Sequence, residues 1–293
     1  MPERLAPAKV NLFLHVGPLG ADGYHPVCSL MTFADVGDLL RLERRPETAF
    51  AVEGEFAAGL GGDANLVVTA REALLAVLGQ ELPPFTLTLE KRLPVAAGLG
   101  GGSSDAAAAL RLIVDAFGLR RDASADTLAR IARGLGADVT ACLVGQAVLA
   151  RGRGDECDDP PKFPDIDAVL VNPMVPSSTR AIYAAFDAAG AGTEADDPVW
   201  PAAIDTVEQL ADFLAACRND LEAPAIALQP AIAEVLAALR ARPQTLFARM
   251  SGSGATCFAL CADAQASEAL RRAVAEAHPA WWVRRCRLEG FRP

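Results

Sequence analysis

A glycine-rich segment constrains the fold of this chain most strongly. Residues 94–111 read PVAAGLGGGSSDAAAALR, so four glycines fall within five residues, directly before an alanine-rich stretch. Glycine readily adopts positive φ angles and lets the backbone approach a ligand closely. The four glycines, Gly98, Gly100, Gly101 and Gly102, let the backbone do both here. The pattern predicts a helix from Ser103 to Phe117 that ends at Gly118.

The junction between these glycines and the predicted helix has the features of an anion-binding site. The first N–H groups of a helix have no acceptor within it, and the helix start carries roughly half a positive charge. Successive N–H groups in a glycine loop form a concave surface that suits a polyphosphate. We therefore predict phosphate binding here. A tight turn that only packs the helix closely is the alternative.

The segment does not fit three widespread phosphate loops. A P-loop needs a lysine after its last glycine, and none is present. The dinucleotide-binding pattern, if it started at Gly98, would need glycine where Ser103 stands. The chain also lacks the H-R-D and D-F-G elements of protein kinases. Another class of phosphate loop is therefore indicated.

Length and charge point to a two-domain protein with small-molecule partners. A chain of 293 residues exceeds what one hydrophobic core usually fills. The net charge is −10, and no Lys/Arg-rich block is present, which argues against nucleic acid or an anionic membrane as partner. Because the chain has only three lysines, Lys9, Lys91 and Lys162, backbone dipoles and a metal must supply much of the charge that neutralises a polyphosphate.

Cysteine usage and hydropathy indicate the cytoplasm. The seven cysteines are scattered, odd in number and free of C-x-x-C pairs, so neither a disulfide framework nor a zinc site is expected. No apolar run approaches about 18 residues and the N-terminus does not resemble a signal peptide. We expect a cytoplasmic protein. The oligomeric state is not readable from the sequence.

Periodicity predicts the elements before and after the glycine-rich segment. Residues Ala8–Val16 alternate as in a strand, which places Lys9 and Asn11 on the same face. Further strands are expected near 27–33, 39–42 and 85–89. One helix is expected to start at an Asp63 cap and end at Gly79, and another to start at Ser124 and end near Gly134 or Gly136.

A segment rich in Gly, Asp and Pro, residues 152–164, suggests a domain boundary. We place one domain at residues 1–157 and the other at 158–293. Beyond the boundary the pattern reads β-α-β-β-α-β with a helical insertion. Strands and helices do not alternate strictly, so the predicted class is α+β in two domains.

Three motifs resemble the signatures of the GHMP kinases, a family that phosphorylates small metabolites. The segment P-x-x-x-G-L-G-G-G-S-S at 94–104 resembles the ATP-binding motif, and APAKVNLFLHV at 6–16 resembles the first motif. MSGSGATCF at 250–258 resembles the C-terminal glycine loop: Ser251, Gly252, Ser253 and Gly254. The resemblance covers nearly the whole chain. It implies an N-terminal domain like ribosomal protein S5 domain 2 and a ferredoxin-like C-terminal domain.

A narrower resemblance points to one branch of this family. D-G-Y-H at 22–25 accompanies P-A-K-V-N-L at 7–12, L-G-A-D-V at 135–139 and N-D-L-E at 219–222. Members of that branch use ATP to phosphorylate the 2-hydroxyl of a cytidine diphosphate-linked methylerythritol in non-mevalonate isoprenoid synthesis. Magnesium is implied by ATP chemistry in general, with no ligand identified; Ser104 is the first residue to test.

The resemblance also assigns roles to individual residues. Lys9 and Asp138 are the catalytic pair, with Asp138 in a turn after Gly136; an N-cap role is the alternative for this aspartate. An ion pair between the two is expected. The implied ATP-binding residues are Asn65, Leu66, Pro94, Val95, Ala96, Ala97, Gly98, Leu99, Gly100, Gly101, Gly102, Ser103 and Ser104.

The implied substrate site is built around the cytosine ring. Tyr24 would stack on the ring and His25 would bind it by hydrogen bonds, while Tyr183 closes the other side with Thr179 nearby. Asn11 lies on the face of Lys9. Many relatives have phenylalanine where Tyr183 stands, and either ring can stack. A core aromatic on a helix face is the alternative for Tyr183.

Two other functions remain open at this point. Another GHMP kinase, acting on homoserine, mevalonate or galactose, would keep the glycine loops without needing D-G-Y-H. A nucleotide-binding regulator without activity could use the same fold, although the presence of Lys9 and Asp138 argues against it.

Overall fold

A computed structural model describes residues 1–62, 64–79, 81–190 and 193–291. The strands are β1 Glu3–Val16, β2 Val27–Arg44, β3 Ala49–Glu53, β4 Phe85–Glu90, β5 Val148–Arg151, β6 Glu156–Asp158, β7 Ile166–Asn172, β8 Phe247–Met250, β9 Cys257–Cys261 and β10 Trp282–Leu288. The helices are α1 Leu66–Leu78, α2 Gly101–Phe117, α3 Ala125–Leu135, α4 Ala137–Val144, α5 Thr179–Ala188, α6 Val207–Ala216, α7 Glu222–Leu228, α8 Ala231–Arg240 and α9 Ala264–Ala277. The predicted α+β class is confirmed.

The chain forms two compact units, each drawn from several segments. Unit 1 contains 1–8, 36–95 and 100–145, and unit 2 contains 9–35, 96–99 and the chain from 146 onward. The glycine-rich segment passes from unit 2 to unit 1 after Leu99. The domain boundary predicted at 157/158 stays a prediction.

Unit 1 packs helices α1 to α4 with a small sheet. Strand β4 pairs in parallel with β3 and antiparallel with the C-terminal half of β2, from Leu39↔Glu90 to Arg44↔Phe85. Phe85, Leu87 and Leu89 are buried while the residues between them are half-buried. This alternation is the period of two that the sequence predicted for a strand.

Unit 2 contains an antiparallel sheet in the order β10-β7-β9-β8. Along the chain the segment reads β7-α5-β8-β9-α9-β10, with α6, α7 and α8 inserted before β8. When its four strands are numbered 1 to 4 in chain order, their order in the sheet is 4-1-3-2. The predicted β-α-β-β-α-β order is confirmed, and its strand order is that of a ferredoxin-like sheet. The N-terminal half of β2 pairs with β5, and β5 pairs with β6.

The two strands expected at 27–33 and 39–42 are one continuous strand, β2. The segment Asp35–Asp38 resembles a break because it contains Gly37. In the structure Gly37 stays in the strand because the backbone of Ala6 passes against it, where a Cβ atom would overlap the Ala6 carbonyl group. A close approach between backbones, which sequence patterns do not encode, explains this glycine.

The helix after the glycines begins at Gly101 rather than Ser103. Gly98 and Gly100 have positive φ angles of 75° and 62°, whereas Gly101 and Gly102 are helical. The Ser104 N–H already donates to the Gly100 carbonyl at 2.8 Å. The long alanine-rich run extends the helix into glycines whose own propensity is low.

Local signals elsewhere were partly correct. Helix α1 ends at Gly79 as predicted, and its N-cap is Asn65, while the predicted cap Asp63 lies outside the described residues. Helix α3 begins after Ser124 and ends at Gly136, as predicted. Within the described ranges, no helix is long and apolar enough to cross a membrane.

Candidate active site

Three hydrogen bonds within unit 2 hold the carbonyl groups of the segment Ala96–Leu99. The Ser251 hydroxyl donates to the Gly98 carbonyl at 2.9 Å, and the Thr256 N–H donates to the Ala97 carbonyl at 3.1 Å. The Lys9 N–H donates to the Leu99 carbonyl at 2.8 Å. A Cβ atom on Gly98 would overlap the Ser251 carbonyl oxygen. Only glycine fits here, for reasons of both space and φ angle.

The C-terminal glycine loop, Ser251–Gly254, supplies this support. The Gly254 N–H donates to the Ser251 carbonyl at 2.9 Å, and Gly252 and Gly254 have φ angles of 55° and 77°. The side-chain amide of Asn219 donates to the carbonyls of Met250 and Gly252, both at 2.9 Å. Asn219 belongs to the N-D-L-E motif, for which the sequence predicted no structural role, and in the structure it holds the loop.

Lys9 and Asn11 lie on one face of β1, as the alternation predicted. The Lys9 ammonium donates to the Asn11 side-chain oxygen at 2.7 Å, and the Asn11 amide donates to the Ser29 hydroxyl at 2.7 Å. The Asn11 N–H donates to the Ser251 hydroxyl at 3.1 Å. All of these groups are buried. The network fixes the position of a buried ammonium group beside the glycine loop.

In unit 1, Gly100 to Ser104 form the start of α2. Gly100 is the N-cap, no side chain caps the helix, and its first turn contains no acidic residue. The N–H groups of Gly101, Gly102 and Ser103 therefore have no acceptor within the helix. Leu66 lies beside this turn, since a Cβ atom on Gly102 would be 3.6 Å from the Leu66 Cδ1. The neighbouring Asn65 caps α1 and donates to the Leu60 carbonyl at 2.9 Å.

A buried cluster of three charged side chains, Lys91, Asp38 and Asp105, lies against this helix start. The Lys91 ammonium contacts Oδ2 of Asp38 and donates to Oδ2 of Asp105 at 2.9 Å. The other Asp38 oxygen accepts the N–H groups of Arg92 and Leu93 at 2.6 and 2.9 Å. A Cβ atom on Gly101 would lie 3.4 Å from the Lys91 ammonium. The cluster therefore ties the chain entering the glycine-rich segment to α2 and β2.

The charges in this cluster depend on Asp105. Burial raises the pKa of Asp105 to about 8, and the Asp38 carboxylate adds to the effect while Lys91 opposes it. Burial alone would lower the pKa of Lys91, but the carboxylates of Asp105 and Asp38 outweigh it and raise the pKa. The raised pKa favours the protonated form of Asp105, which reduces the negative charge that the cluster buries.

Asp138 lies in the first turn of α4, and the turn predicted for it was wrong. The helix has only eight residues and contains the β-branched Val139 and Thr140, so its local helix signal is weak. Within α4 a carboxylate near the N-terminus is stabilised by the helix dipole. Lys9 belongs to unit 2 and Asp138 to unit 1. Their ion pair stays a prediction.

The residues predicted for the cytosine ring form two separate contacts in unit 2. The His25 ring lies 5.1 Å from the Tyr183 ring between centroids, and its Nδ1 is 2.9 Å from the Gly17 carbonyl oxygen. The other ring nitrogen, Nε2, lies 3.3 Å from an Asp187 carboxylate oxygen. The Arg153 guanidinium covers one face of the Tyr24 ring at 3.4 Å from its centroid. The structure pairs His25, rather than Tyr24, with Tyr183.

Thr179 connects the substrate candidates to the glycine loop. Its hydroxyl lies 2.8 Å from the Ser253 hydroxyl, and Ser177 donates to the Ser253 carbonyl at 3.1 Å. No group of three or more His, Cys, Asp or Glu side chains in the described part of the chain could hold a metal ion. The Ser104 side chain is buried in the first turn of α2. Magnesium ligands remain unassigned.

The motifs and this geometry define the class of protein. The model of the GHMP kinases N terminal domain matches residues 65–146, and that of the GHMP kinases C terminal domain matches residues 202–280. The chain belongs to the GHMP kinase family and has its two-domain fold. The predicted family is thereby confirmed.

Relatives narrow the comparison to one branch. A Caulobacter sp. (strain K31) protein named 4-diphosphocytidyl-2-C-methyl-D-erythritol kinase is 53% identical over 290 residues, 98% of each chain. A crystal structure of 4-(cytidine 5'-diphospho)-2C-methyl-D-erythritol kinase is similar with a TM-score of 0.75 and 33% identity, covering 99% of this chain and 100% of the other. A homoserine kinase from Cytophaga hutchinsonii shares the fold, with a TM-score of 0.67, 21% identity and coverage of 97% and 93%. The names of the Caulobacter protein and of the first crystal structure describe the branch that D-G-Y-H predicted.

Proposed function

We propose that this chain transfers the γ-phosphoryl group of ATP to the 2-hydroxyl of 4-diphosphocytidyl-2-C-methyl-D-erythritol, a step of the non-mevalonate isoprenoid pathway. The observation that carries the proposal is the 53% identity, over 98% of both chains, with a relative named for this activity. The glycine-rich segment supports it, because the start of α2 has no side-chain cap and follows Gly98 and Gly100, which have positive φ angles.

In this proposal the triphosphate binds at the start of α2. The N–H groups of Gly101, Gly102 and Ser103 donate to phosphate oxygens, and the helix dipole favours their negative charge. Leu66, which lies beside Gly102, and its neighbour Asn65 contact the adenine. The segment Pro94–Leu99 shapes the entrance to this turn. Magnesium, when bound with the nucleotide, would neutralise part of the triphosphate charge; Ser104 is the candidate ligand, and its burial makes a direct contact dependent on a small opening of the turn.

Asp138 and Lys9 carry the chemistry in this proposal. The substrate hydroxyl oxygen attacks the γ-phosphorus, the bond to the ADP oxygen breaks, and the hydroxyl proton passes to the Asp138 carboxylate. Little deprotonation is needed early because the transition state is loose, so Asp138 mainly orients the hydroxyl. Lys9 offsets the negative charge that moves onto the phosphoryl oxygens, and Asn11 and Ser29 keep its ammonium in position.

The cytidine part of the substrate is proposed to bind near His25. The Nδ1 of this histidine faces a carbonyl oxygen and therefore carries a proton, which leaves Nε2 as the nitrogen that can exchange Asp187 for a ligand. Tyr183 and Tyr24 are proposed to stack on the base, and Thr179 to contact the substrate beside Ser253. Because Arg153 covers one face of Tyr24, that ring can offer the base only its other face.

We place the reaction in the cytoplasm. The cysteines of the described residues form no disulfide bond, which fits a reducing compartment. The partners are then the two small-molecule substrates, with neither nucleic acid nor membrane involved. Kinases of homoserine, mevalonate or galactose, and an inactive nucleotide-binding regulator, are the functions that an experiment must separate from this one.

The test is ADP formation in the presence of ATP and magnesium. We expect 4-diphosphocytidyl-2-C-methyl-D-erythritol to stimulate it, and homoserine, mevalonate and galactose to have little effect. Asp138→Asn should keep ATP affinity and lower kcat about 100-fold or more. Asp126→Asn, the same change in the first turn of α3, is the matched control. Stimulation by another alcohol, by none, or unchanged turnover in Asp138→Asn would each contradict the proposal.

A further inference from the structure

A crevice in unit 1 lies outside every candidate site residue described above. It is bounded by β1, α2, α3 and α4 and has a volume of about 580 Å³. Apolar side chains line much of it, including Val114, Leu128, Leu143 and Val144. This volume lies within the range of small-molecule pockets, about 300–1,000 Å³.

Positive charge exceeds negative charge along this crevice. Three arginines line it, Arg4, Arg111 and Arg120, together with one carboxylate, Asp115. Asp115 accepts from Arg4 at 2.7 Å and from Arg120 at 3.0 Å, so one anion is shared between two cations.

Arg111 adds a third guanidinium that binds no carboxylate in the contacts described. It donates instead to the carbonyls of Leu143 and Val144, at the end of α4. Burial lowers the pKa of Arg111, and the nearby charge of Arg4 lowers it further, against a smaller opposite effect of Asp115. The crevice thus has a local excess of positive charge.

Two buried polar atoms of the lining lack a partner among the described residues. The Thr140 hydroxyl is one; this side chain is only 7% exposed and lies in α4. The Nε of Arg4 is the other. Buried polar groups without a partner are uncommon and destabilise the folded chain. Both atoms can donate a hydrogen bond, but they are shielded from solvent, so an acceptor in the crevice reaches them only when the side chains rotate toward it.

We infer that this crevice binds a phosphate monoester that carries a short alkyl chain. The phosphate oxygens would accept from the Thr140 hydroxyl and the arginines, and the alkyl chain would cover the apolar lining. Inorganic phosphate would leave the apolar lining exposed to water, and a neutral alcohol would leave the charge excess uncompensated. The phosphate group therefore matches the positive charge of the crevice, and the alkyl chain matches its apolar lining.

Hexyl phosphate is the probe, and isothermal titration calorimetry of the full chain is the measurement. We expect binding that is at least about tenfold tighter than that of inorganic phosphate or hexanol. The Arg120→Gln variant should weaken it about fivefold or more. The Arg121→Gln variant is the matched control, since Arg121 is equally charged, adjacent and exposed but does not line the crevice.

A second variant tests the unpartnered hydroxyl. Thr140→Val keeps the shape of the side chain and should weaken hexyl phosphate binding about threefold or more. The inference is overturned if hexyl phosphate does not bind at millimolar concentration, or if hexanol or inorganic phosphate binds equally well. Equal binding by Arg120→Gln and Arg121→Gln would overturn it too. None of these readouts depends on kinase activity, so they stand apart from the proposed function.

Discussion

The glycine-rich segment has two halves that are held in different ways. Ala96–Leu99 belongs to unit 2 and is fixed by neutral hydrogen bonds from Ser251, Thr256 and Lys9 to its carbonyls. Gly100–Ser104 belongs to unit 1 and lies next to the charged cluster of Lys91, Asp38 and Asp105. The first half uses its carbonyls for structural bonds, whereas the second half has N–H groups without acceptors in the helix.

This comparison shows that neighbouring glycines are required for different reasons. Gly98 has a positive φ angle and no space for a Cβ atom. Gly102 is helical, and a Cβ atom there would make an ordinary contact with Leu66. Glycine at 98 is therefore required by the fold, while the backbone and the space at 102 do not require glycine. Four predictions test this distinction.

The largest effect is expected for Gly98→Ala. The new methyl group would overlap the Ser251 carbonyl and force a left-handed backbone on alanine, so the free energy of unfolding should fall by about 4 kcal/mol. Urea unfolding measures it. The control is Gly102→Ala, which should change stability by no more than about 1 kcal/mol, in the stabilising direction. Similar losses in both variants would show that the two halves do not differ.

Removing the Lys91 ammonium, which lies beside the second half, should lower the free energy of unfolding somewhat less. Lys91→Met leaves two buried carboxyl groups without their cation, and we expect a loss of about 3 kcal/mol in unfolding free energy. The loss is at the low end for a buried ion pair because the raised pKa of Asp105 reduces the negative charge left without a partner. Lys162→Met is the control: that side chain is 63% exposed and its loss should cost less than about 0.5 kcal/mol. Equal stability of the two variants would mean that the cluster does not stabilise α2.

The pH dependence of Asp105→Asn gives a smaller and more specific signal. The folded pKa, about 8, lies above the ordinary value of 3.8, so the stabilising contribution is complete below pH 4 and is lost as pH rises through 8. Asparagine imitates the protonated acid at every pH. Relative to the wild type, the variant should therefore gain about 2 kcal/mol of stability between pH 6 and pH 8. A difference that stays constant with pH would mean that Asp105 is ionised throughout.

The smallest effect concerns Ala96, which has a positive φ angle of 51°. Ala96→Gly relieves the left-handed strain but increases the freedom of the unfolded chain, for a net gain of about 0.5 kcal/mol. Ala97→Gly, one residue on and without a positive φ angle, should instead destabilise by about 1 kcal/mol. Thermal unfolding of the two variants checks the opposite signs; a loss in both would contradict the strain at Ala96.

The sequence predicted what local patterns and motifs encode. The alternation of β1 and β4, the glycine ends of α1 and α2, and the three family motifs all correspond to the structure or to the comparisons. The cluster of Lys91, Asp38 and Asp105 was not predicted, because only the fold brings these distant positions together. Asn219 was missed for the same reason. The short helix α4 and the continuous strand β2 were missed because tertiary contacts override weak local signals there.

The positions of Lys9 and Asn11 sharpen the proposed mechanism. Asn11, first assigned to the substrate, binds the Lys9 ammonium, so its loss should affect catalysis through Lys9 as well as substrate affinity.

The central claim is that the N–H groups at the start of α2 bind the triphosphate of ATP. A crystal structure of the chain with a nonhydrolysable ATP analogue tests it most directly. We predict phosphate oxygens within about 3 Å of the backbone nitrogens of Gly101, Gly102 and Ser103. Phosphates bound at another place in the chain, with these N–H groups facing water, would contradict the account.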